Sequence, residues 1–593
     1  MLNPEAHVCG VTRSILGQPW RWRGMAADAG DPSFQPDDLV DQLLLARGVT
    51  REDLARHRRP TLRDFMPDPS VFRDMDKAAE RLADAVQSGE QVTIFGDYDV
   101  DGATSAALLI LLLRQLGLEA SPYIPDRLME GYGPSGEALV KLAEAGASLI
   151  VTVDCGAQAF EALDMAKAAG VDVIVVDHHK CASRLPDGFA IVNPNRLDES
   201  AEGATQGHLA AVGMAFLLGA ALLRTLRGRG WFADRAEPKL IETLDLVALG
   251  TVADVAQLRG LNRAFVTQGL KVMAGRRNVG LAALGDAARL NRAPECRDLG
   301  FALGPRINAG GRVGKSDLGV RLLTTDDPEE ARTIAAELDR LNEERRAIEA
   351  TVTEAAEALA GAQGNRAVAV VAAPGWHPGV IGIVAGRLKE RLHRPAIVIA
   401  LGEDGIGKGS GRSISGVDLG AAVLAAKDQG LLIAGGGHAM AAGLTVAADG
   451  IDALTDFLEG RLAGDIARSR DDRALLVDAV LAPGGVSAAW CDAIEAGGPY
   501  GAGWPGPHVV AGPVGIVKAD VVGNGHLRVI AAGEDGRRVK AIAFRMAESP
   551  LGEALLAAPT HRRLWLAGRI KKDDYYGGNA AELHLEDAAW ADA

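Results

Sequence analysis

Cysteine is scarce and unpaired in this 593-residue chain: Cys9, Cys155, Cys181, Cys296 and Cys491 stand far apart, with no C-x-x-C pair. That excludes a disulfide framework and a thiolate zinc site, and it fits a reducing compartment. Aromatic residues are only 4% of the chain against 48% apolar residues, so Ala, Val and Leu must fill the cores. The longest apolar segment, about Ala211–Leu223, is too short to span a bilayer and reads as a buried helix. Met1–Gly10 lacks a basic flank followed by a hydrophobic stretch, so no signal peptide is expected and the protein is expected to be cytoplasmic. Positive charge is not in excess: 63 basic residues face 78 acidic ones, net −15, which argues against a protein that coats nucleic acid. A local basic cleft can still capture a polyanion while the rest of the surface repels it. Internal repeats and low-complexity tracts are lacking as well.

What is present is punctuated alternation. The length suggests about three or four domains. Residues 1–70 mix Pro, Arg and Asp and read as an N-terminal extension packed on the domain that follows. Residues 71–325 alternate strands (Gln91–Phe95, Ala120–Ile124, Ser148–Thr152, Val171–Val176) with helices (Ala103–Leu116, Pro134–Ala145, Ala157–Ala169, His208–Leu226, Lys239–Val252). Such alternation predicts an α/β domain with a parallel sheet covered on both faces. Residues 326–361 read as one long connecting helix, started by Asp326-Asp327-Pro328 and stopped at Gly361. A smaller α/β unit follows over 362–470. Residues 471–593 carry five short alternating strands, which predict a small β-barrel.

Four acidic and histidine clusters stand out: Asp97-Tyr98-Asp99-Val100-Asp101-Gly102, Val153-Asp154-Cys155-Gly156, Asp177-His178-His179 and Ala253-Asp254-Val255. Three of them directly follow predicted strands, and the C-terminal ends of parallel strands converge on one crevice. Gathered there, carboxylates and an imidazole repel one another unless a cation neutralises them. Carboxylates prefer hard ions and imidazole tolerates Mn²⁺, so the mixture suits Mn²⁺ or Mg²⁺. In an extended segment Asp97, Asp99 and Asp101 share a face; the plainer reading is that they cap the helix starting near Ala103.

The clusters, taken in this order, resemble the first four motifs of the DHH phosphoesterase superfamily, and within it the RecJ-type single-stranded-DNA exonucleases. The resemblance runs over nearly the whole chain: a DHH catalytic lobe, a bridge, a DHHA1-like lobe and an OB-like end. It implies that Asp99, Asp101, Asp154, His178 and Asp254 ligate two divalent ions, with Asp154 as the bridge. It implies further that Asp97 orients a ligand or a water, and that His179 sits beside the scissile phosphate.

Arg127 and Tyr132, after the second strand, suit a phosphate and a base. Arg306, Asn308 and Arg312 lie in what reads as a glycine-rich loop suited to backbone phosphates. Ser410 and Arg412, between glycines, and the nest-like Gly435–Gly437 with His438 are shared with DHHA1-like lobes. With Arg127, Ser410 and Arg412 form a candidate pocket for a terminal 5′-phosphate. Trp376 and His377 either bind or hold their loop in shape. Tyr500, Trp504, Arg528, Arg537, Arg538, Lys540, Lys571 and Lys572 offer stacking and charge in the barrel, although Trp504 replaces an Asn common in RecJ-like chains. The resemblance implies a 5′→3′ exonuclease on single-stranded DNA that releases mononucleotides in recombination and repair, with a helicase and a single-strand-binding protein as partners. The alternative is a DHH enzyme acting on short RNA, cyclic dinucleotides or pyrophosphate.

Overall fold

The computed structural model describes residues 7–27, 36–126, 130, 131, 133–471, 473–559, 561–573 and 580–591. The first strand, β1 (Trp20–Ala27), belongs to the last sheet in the chain. The next five are β2 (Val92–Gly96), β3 (Ala120–Tyr123), β4 (Leu149–Val153), β5 (Asp172–Val176) and β6 (Ala190–Val192). They form a wholly parallel sheet in the order β3-β2-β4-β5-β6. Alternate residues serve opposite faces. Ile94, Val151 and Ile174 pack with the helices Val100–Gln115 and Ala211–Gly228. Phe95, Ile150 and Val175 pack with Gly136–Glu144 and Phe160–Ala168. Burial on both faces is why these strands read as continuous apolar runs. The chain moves outward in opposite directions from β2, to β3 on one side and to β4 on the other, so a crevice opens between the ends of β2 and β4.

Helix Ala211–Gly228 is long and apolar enough to cross a membrane by length and composition, but 72% of it is buried inside the protein. It covers the sheet.

The connecting helix runs from Pro328 to Ala362, with Asp327 accepting from the Glu329 N–H at its start. Leu338 and Leu341 join the core of the catalytic lobe, whereas Val352, Ala356 and Ala360 join that of the second lobe. That lobe holds β7 (Ala369–Pro374), β8 (Ala396–Leu401), β9 (Ile406–Arg412), β10 (Ala434–His438) and β11 (Ala441–Ala447), in the order β10-β11-β9-β8-β7.

The last sheet begins with β12 (Leu475–Leu481), followed by β13 (Val509–Val522), β14 (His526–Ala532), β15 (Arg538–Ala543), β16 (Leu564–Lys572) and β17 (Ala581–Trp590). A β13–β16 pairing closes β13-β14-β15-β17-β16 into the expected five-stranded barrel. The N-terminal segment departs from expectation. β1 pairs in parallel with β12, and Trp20 donates its Nε1–H to the buried Asp587 carboxylate at 3.0 Å. Leu39 and Leu43 pack in the barrel core, while Val40 and Leu44 of the same helix pack in the catalytic core. The described residues among the first 70 therefore pack on both the barrel and the catalytic lobe instead of merely extending the domain that follows. Long-range pairing of this kind leaves no local signal in the sequence.

Candidate metal centre and the cleft beside it

β2 ends at Gly96, and the next residues turn sharply into helix Val100–Gln115. The turn is tight: a Cβ on Gly102 would lie 2.4 Å from the Asp97 carbonyl oxygen, so only glycine fits. Asp99 is the N-cap and accepts from the Gly102 N–H at 3.0 Å. Asp101 lies inside the helix and is 1% exposed. Its two oxygens accept from the N–H groups of Ala211 (2.7 Å) and Val212 (2.9 Å), at the positive end of helix Ala211–Gly228. The three aspartates thus converge through a strand-to-helix turn, not through an extended segment, and Asp99 is both cap and candidate ligand.

Asp154 follows β4 in the left-handed region, at φ 62°, and is 3% exposed. Val255, next to Asp254, has φ 60°, which is unusual for a β-branched residue. Strain at both neighbouring positions is of the kind that clusters at functional sites.

His178 supplies the strongest argument for a cation. Its Nδ1 meets the Leu209 carbonyl at 3.1 Å, which assigns the proton to that nitrogen and leaves a lone pair on Nε2. That Nε2 is buried without a hydrogen bond, 3.3 Å from Asp154, 3.9 Å from Asp101 and 3.9 Å from Asp254. A lone pair facing three carboxylates is repulsive until a cation joins them. Among the described residues, three sets bring ligand atoms within 4.8 Å of one another: Asp97, Asp99 and Asp154; Asp101, His178 and Asp254; Asp154, His178 and His179. Asp154 is shared. Asp97, expected only to orient a ligand, is itself placed as a candidate ligand. The donor set of carboxylates plus one imidazole fits Mn²⁺ or Mg²⁺.

The electrostatics agree. Burial, then the charge of Asp99, pushes Asp101 up to about 7. Burial, then Asp101 and Asp99, pushes Asp254 up to about 8. Asp154 is driven well above the carboxylate range by burial and by Asp99, Asp101, Asp97 and Asp254.

Asp177, to which the sequence assigned no role, is the scaffold of the histidine pair. It accepts from the Ala157, His178 and His179 N–H groups and from His179 Nδ1 at 2.7 Å. Burial would lower the His179 pKa, but Asp177 outweighs it and raises the ring to about 9. Desolvation of Asp177 is in turn outweighed by these donors, which hold it at about 2. Asn193 and Asn195 donate to the His179 and His178 carbonyls. An Asn-Pro-Asn turn after a short strand was the available signal for them.

Beside the centre, the expected glycine-rich loop is instead a helix, Gly304–Val313. Its glycines serve close packing: a Cβ on Gly311 would lie 2.9 Å from the Tyr98 carbonyl oxygen, between the first two metal-site aspartates. Arg306 pairs with Asp339 of the connecting helix at 2.8 Å, and Asn308 is half-buried on the same helix as Arg306. Arg312 reaches the second lobe, donating to the Gly379 carbonyl at 2.9 Å.

The other two expected loops are strands: Ser410 and Arg412 lie on β9, and Gly435–Gly437 with His438 on β10. Alternating glycines clear one face of β9 for packing; Cβ atoms on Gly407, Gly409 and Gly411 would press on Ile399, Leu444 and Leu419. Arg312, Lys408, Ser410 and Arg412 line a cleft of about 510 Å³ that also reaches Gly382 in the first turn of helix Ile381–Leu392. A helix start and several cations around one space suit an anion. His438 is exposed at the end of β10 and is not among the lining residues. His377 accepts from the Gly379 N–H, so it holds its loop in shape. Arg127 and Tyr132 lie outside the described residues.

Tyr500 and Trp504 are not a stacking platform. Trp504 is 4% exposed, with Arg263 4.7 Å and Arg47 6.0 Å from its ring, at the joint between barrel and catalytic lobe. Arg528 and Lys540 pair with Asp520 and Asp573.

Comparison with known proteins reaches the same assembly. Residues 91–251 match the DHH family, N-terminal domain; residues 364–464 match the DHHA1 domain; residues 477–587 match the RecJ OB domain. The chain is 37% identical over 562 residues to the single-stranded-DNA-specific exonuclease RecJ of Dickeya dadantii, covering 92% of this chain and 95% of that one. It is 37% identical over 569 residues to the protein of the same name from Escherichia coli, with the same coverage. The crystal structure of RecJ in complex with Mn²⁺ from Thermus thermophilus superposes with a TM-score of 0.76 at 30% identity, covering 93% of this chain and 76% of that one.

Proposed function

This chain belongs to the RecJ family of single-stranded-DNA-specific exonucleases, and from that membership we propose the following reading of its parts. The protein is a metal-dependent exodeoxyribonuclease that acts on single-stranded DNA, releases 5′-mononucleotides in the 5′→3′ direction and serves recombination and repair. The observation that carries this is the lone pair of His178 facing Asp101, Asp154 and Asp254. Asp97, Asp99, Asp101, Asp154, His178 and Asp254 hold two ions, Mn²⁺ or Mg²⁺, with Asp154 common to both. Bound there, the ions supply charge neutralisation and Lewis acidity at the phosphodiester.

The remaining steps belong to the chain's own side chains. His179, kept cationic by Asp177, steadies the leaving oxygen. Arg312, Ser410 and Arg412, joined by Arg127, hold the terminal 5′-phosphate, which stops the strand and fixes the scissile bond one nucleotide away. Arg306 acts indirectly, by anchoring its helix to the connecting helix. Asn308, Tyr132 and His438 remain assigned to the strand path. The working domain division is 71–325 catalytic, 326–361 connecting, 362–470 DHHA1-like and 471–593 OB-like, with 1–70 binding the first to the last. A cytoplasmic setting follows, with a helicase and a single-strand-binding protein supplying accessible strands.

Incubating the full chain with Mn²⁺ and 5′-labelled or 3′-labelled oligonucleotides tests this. Immediate release of labelled mononucleotide from the 5′ end, delayed loss of the 3′ label and abolition by chelator are expected. Release that begins at the 3′ label, or that survives the chelator, rules the reading out.

A further inference from the structure

The first turn of helix Leu244–Ala253 carries an acid that the metal centre does not use. Asp245 is 2% exposed, and one of its oxygens accepts from the Leu246 N–H at 2.8 Å. The other oxygen meets no donor among the described residues. Burial raises the group to about 6, so it is ionised at neutral pH. A buried anion with an unused oxygen is costly unless something donates to it.

Asp245 lines a cavity of about 300 Å³ in the catalytic lobe. Its walls are apolar, formed by Met273, Leu281, Leu290 and Leu303. Its mouth is cationic, because Arg276 and Arg292 line it and are both exposed. Arg292 pairs with Asp298 at 2.7 Å. Arg276 spends only Nη2, on the Ala282 carbonyl and Asp286, which leaves Nε and Nη1 without a partner among the described residues. Helix Val279–Ala287 starts two residues after Arg276 and adds its positive end to the same wall. None of the residues lining the cavity lines the phosphate cleft or belongs to the metal-site sets.

The charges narrow the occupant. A simple cation would have to pass two guanidinium groups to reach a single carboxylate. A simple anion would meet that carboxylate inside, and a hydrocarbon would leave it unpaired. The cavity instead suits a flat apolar body with N–H donors at its inner end and negative charge at its outer end. A nucleotide has that form, and the volume lies at the lower end of the range for small-molecule sites. An ionised carboxylate only accepts hydrogen bonds, so it selects adjacent donors. Among the bases of DNA only guanine offers two side by side, at N1 and N2. Adenine, cytosine and thymine each place an acceptor next to their donor, and the carboxylate repels it.

We propose that this cavity binds a guanine nucleoside monophosphate, with Asp245 on the base edge and Arg276 and Arg292 on the phosphate. The site does not depend on the exonuclease reading. That reading supplies one source, dGMP released from a degraded strand; the free nucleotide pool supplies another, GMP.

The test is equilibrium dialysis of the metal-free full chain, in EDTA at neutral pH, against dGMP, GMP, dAMP, dCMP and dTMP. Saturable binding that prefers guanine about tenfold or more is expected. Either sugar supports the site; tighter dGMP assigns it to product capture and tighter GMP to the free pool. Asp245→Asn keeps the size, replaces one acceptor by a donor and should abolish the guanine preference. It also removes a buried charge, so its Tm should not fall. Arg276→Ala should weaken dGMP about tenfold and leave deoxyguanosine unchanged. Leu290→Trp, which fills the cavity from a half-buried position, should abolish binding. These two variants keep the question open to test should Asp245→Asn fail to fold. Absence of saturable dGMP and GMP binding, equal affinity for all four bases, or a guanine preference that survives Asp245→Asn overturns the site.

Discussion

The metal centre and the phosphate cleft are opposite solutions to the same substrate. In the centre, acidic groups are packed together and buried, with Asp101 1% and Asp154 3% exposed. Each is oriented by rigid parts: a strand end, a helix start, a carbonyl behind an imidazole. In the cleft the charges are cationic and half-exposed, and they come from two lobes joined by a helix. Buried like charges are tolerated only when an ion joins them or protons neutralise them, so the centre carries its full charge only when loaded. Half-exposed arginines are already solvated, so the cleft gains from phosphate but does not depend on it. Damage to the first should therefore be severe, and damage to the second graded.

The largest expected effect is at the shared ligand. Asp154→Ala should lower kcat on the order of a thousandfold or more, with strand affinity in Ca²⁺ nearly unchanged. A variant that turns over normally would show that the centre is not built around Asp154. Next comes Asp177→Asn, which keeps the size but removes the anion that holds His179 cationic. A loss of about 10- to 100-fold is expected, along with a fall in the alkaline limit of the pH–rate profile from near 9. An unchanged profile would mean that His179 takes its charge from elsewhere.

Proton competition tests the buried side directly. Asp101 at about 7 and Asp254 at about 8 are raised above their unfolded values. The metal-free fold therefore binds more protons than the unfolded chain, and its stability contribution is lost as pH rises through 7 to 8. Metal affinity should increase over the same interval, because ions displace those protons. Calorimetry of Mn²⁺ binding in buffers of different ionisation enthalpy should detect proton release at pH 6.5 and little at pH 9. Constant affinity across that range would refute the picture of carboxylates protonated by crowding.

The difference between the two regions also explains what the sequence revealed. Three of the four clusters were legible because strand-end acids stay close in sequence to the strands that place them, the fourth, at Asp254, because it closes an apolar helix, and the barrel strands were legible from their alternation. The glycine-rich segments misled because glycine serves two purposes. At Gly311 it permits a helix to touch Tyr98, and at Gly407, Gly409 and Gly411 it clears a strand face for Ile399, Leu444 and Leu419. Both uses look like a loop in one dimension. β1 against β12 and Trp504 against Arg263 were invisible because their partners lie hundreds of residues away.

The smallest effects should lie within the cleft and separate its residues from one another. Arg412→Ala removes a guanidinium that shares the cleft with Arg312 and Ser410, and the preference for 5′-phosphorylated over hydroxyl ends should fall about tenfold. His438→Ala should change that preference by less than about twofold, since an exposed ring outside the lining contributes little. The pair makes a sharp test when both variants are measured on both ends. If His438→Ala matched Arg412→Ala, the anion would have to sit beyond β9, at the end of β10, and the cleft lined by Arg312 would no longer be its seat. If Arg412→Ala lost equal activity on both ends, the guanidinium would be gripping the strand at large, and the block that makes this an exonuclease would have to lie elsewhere.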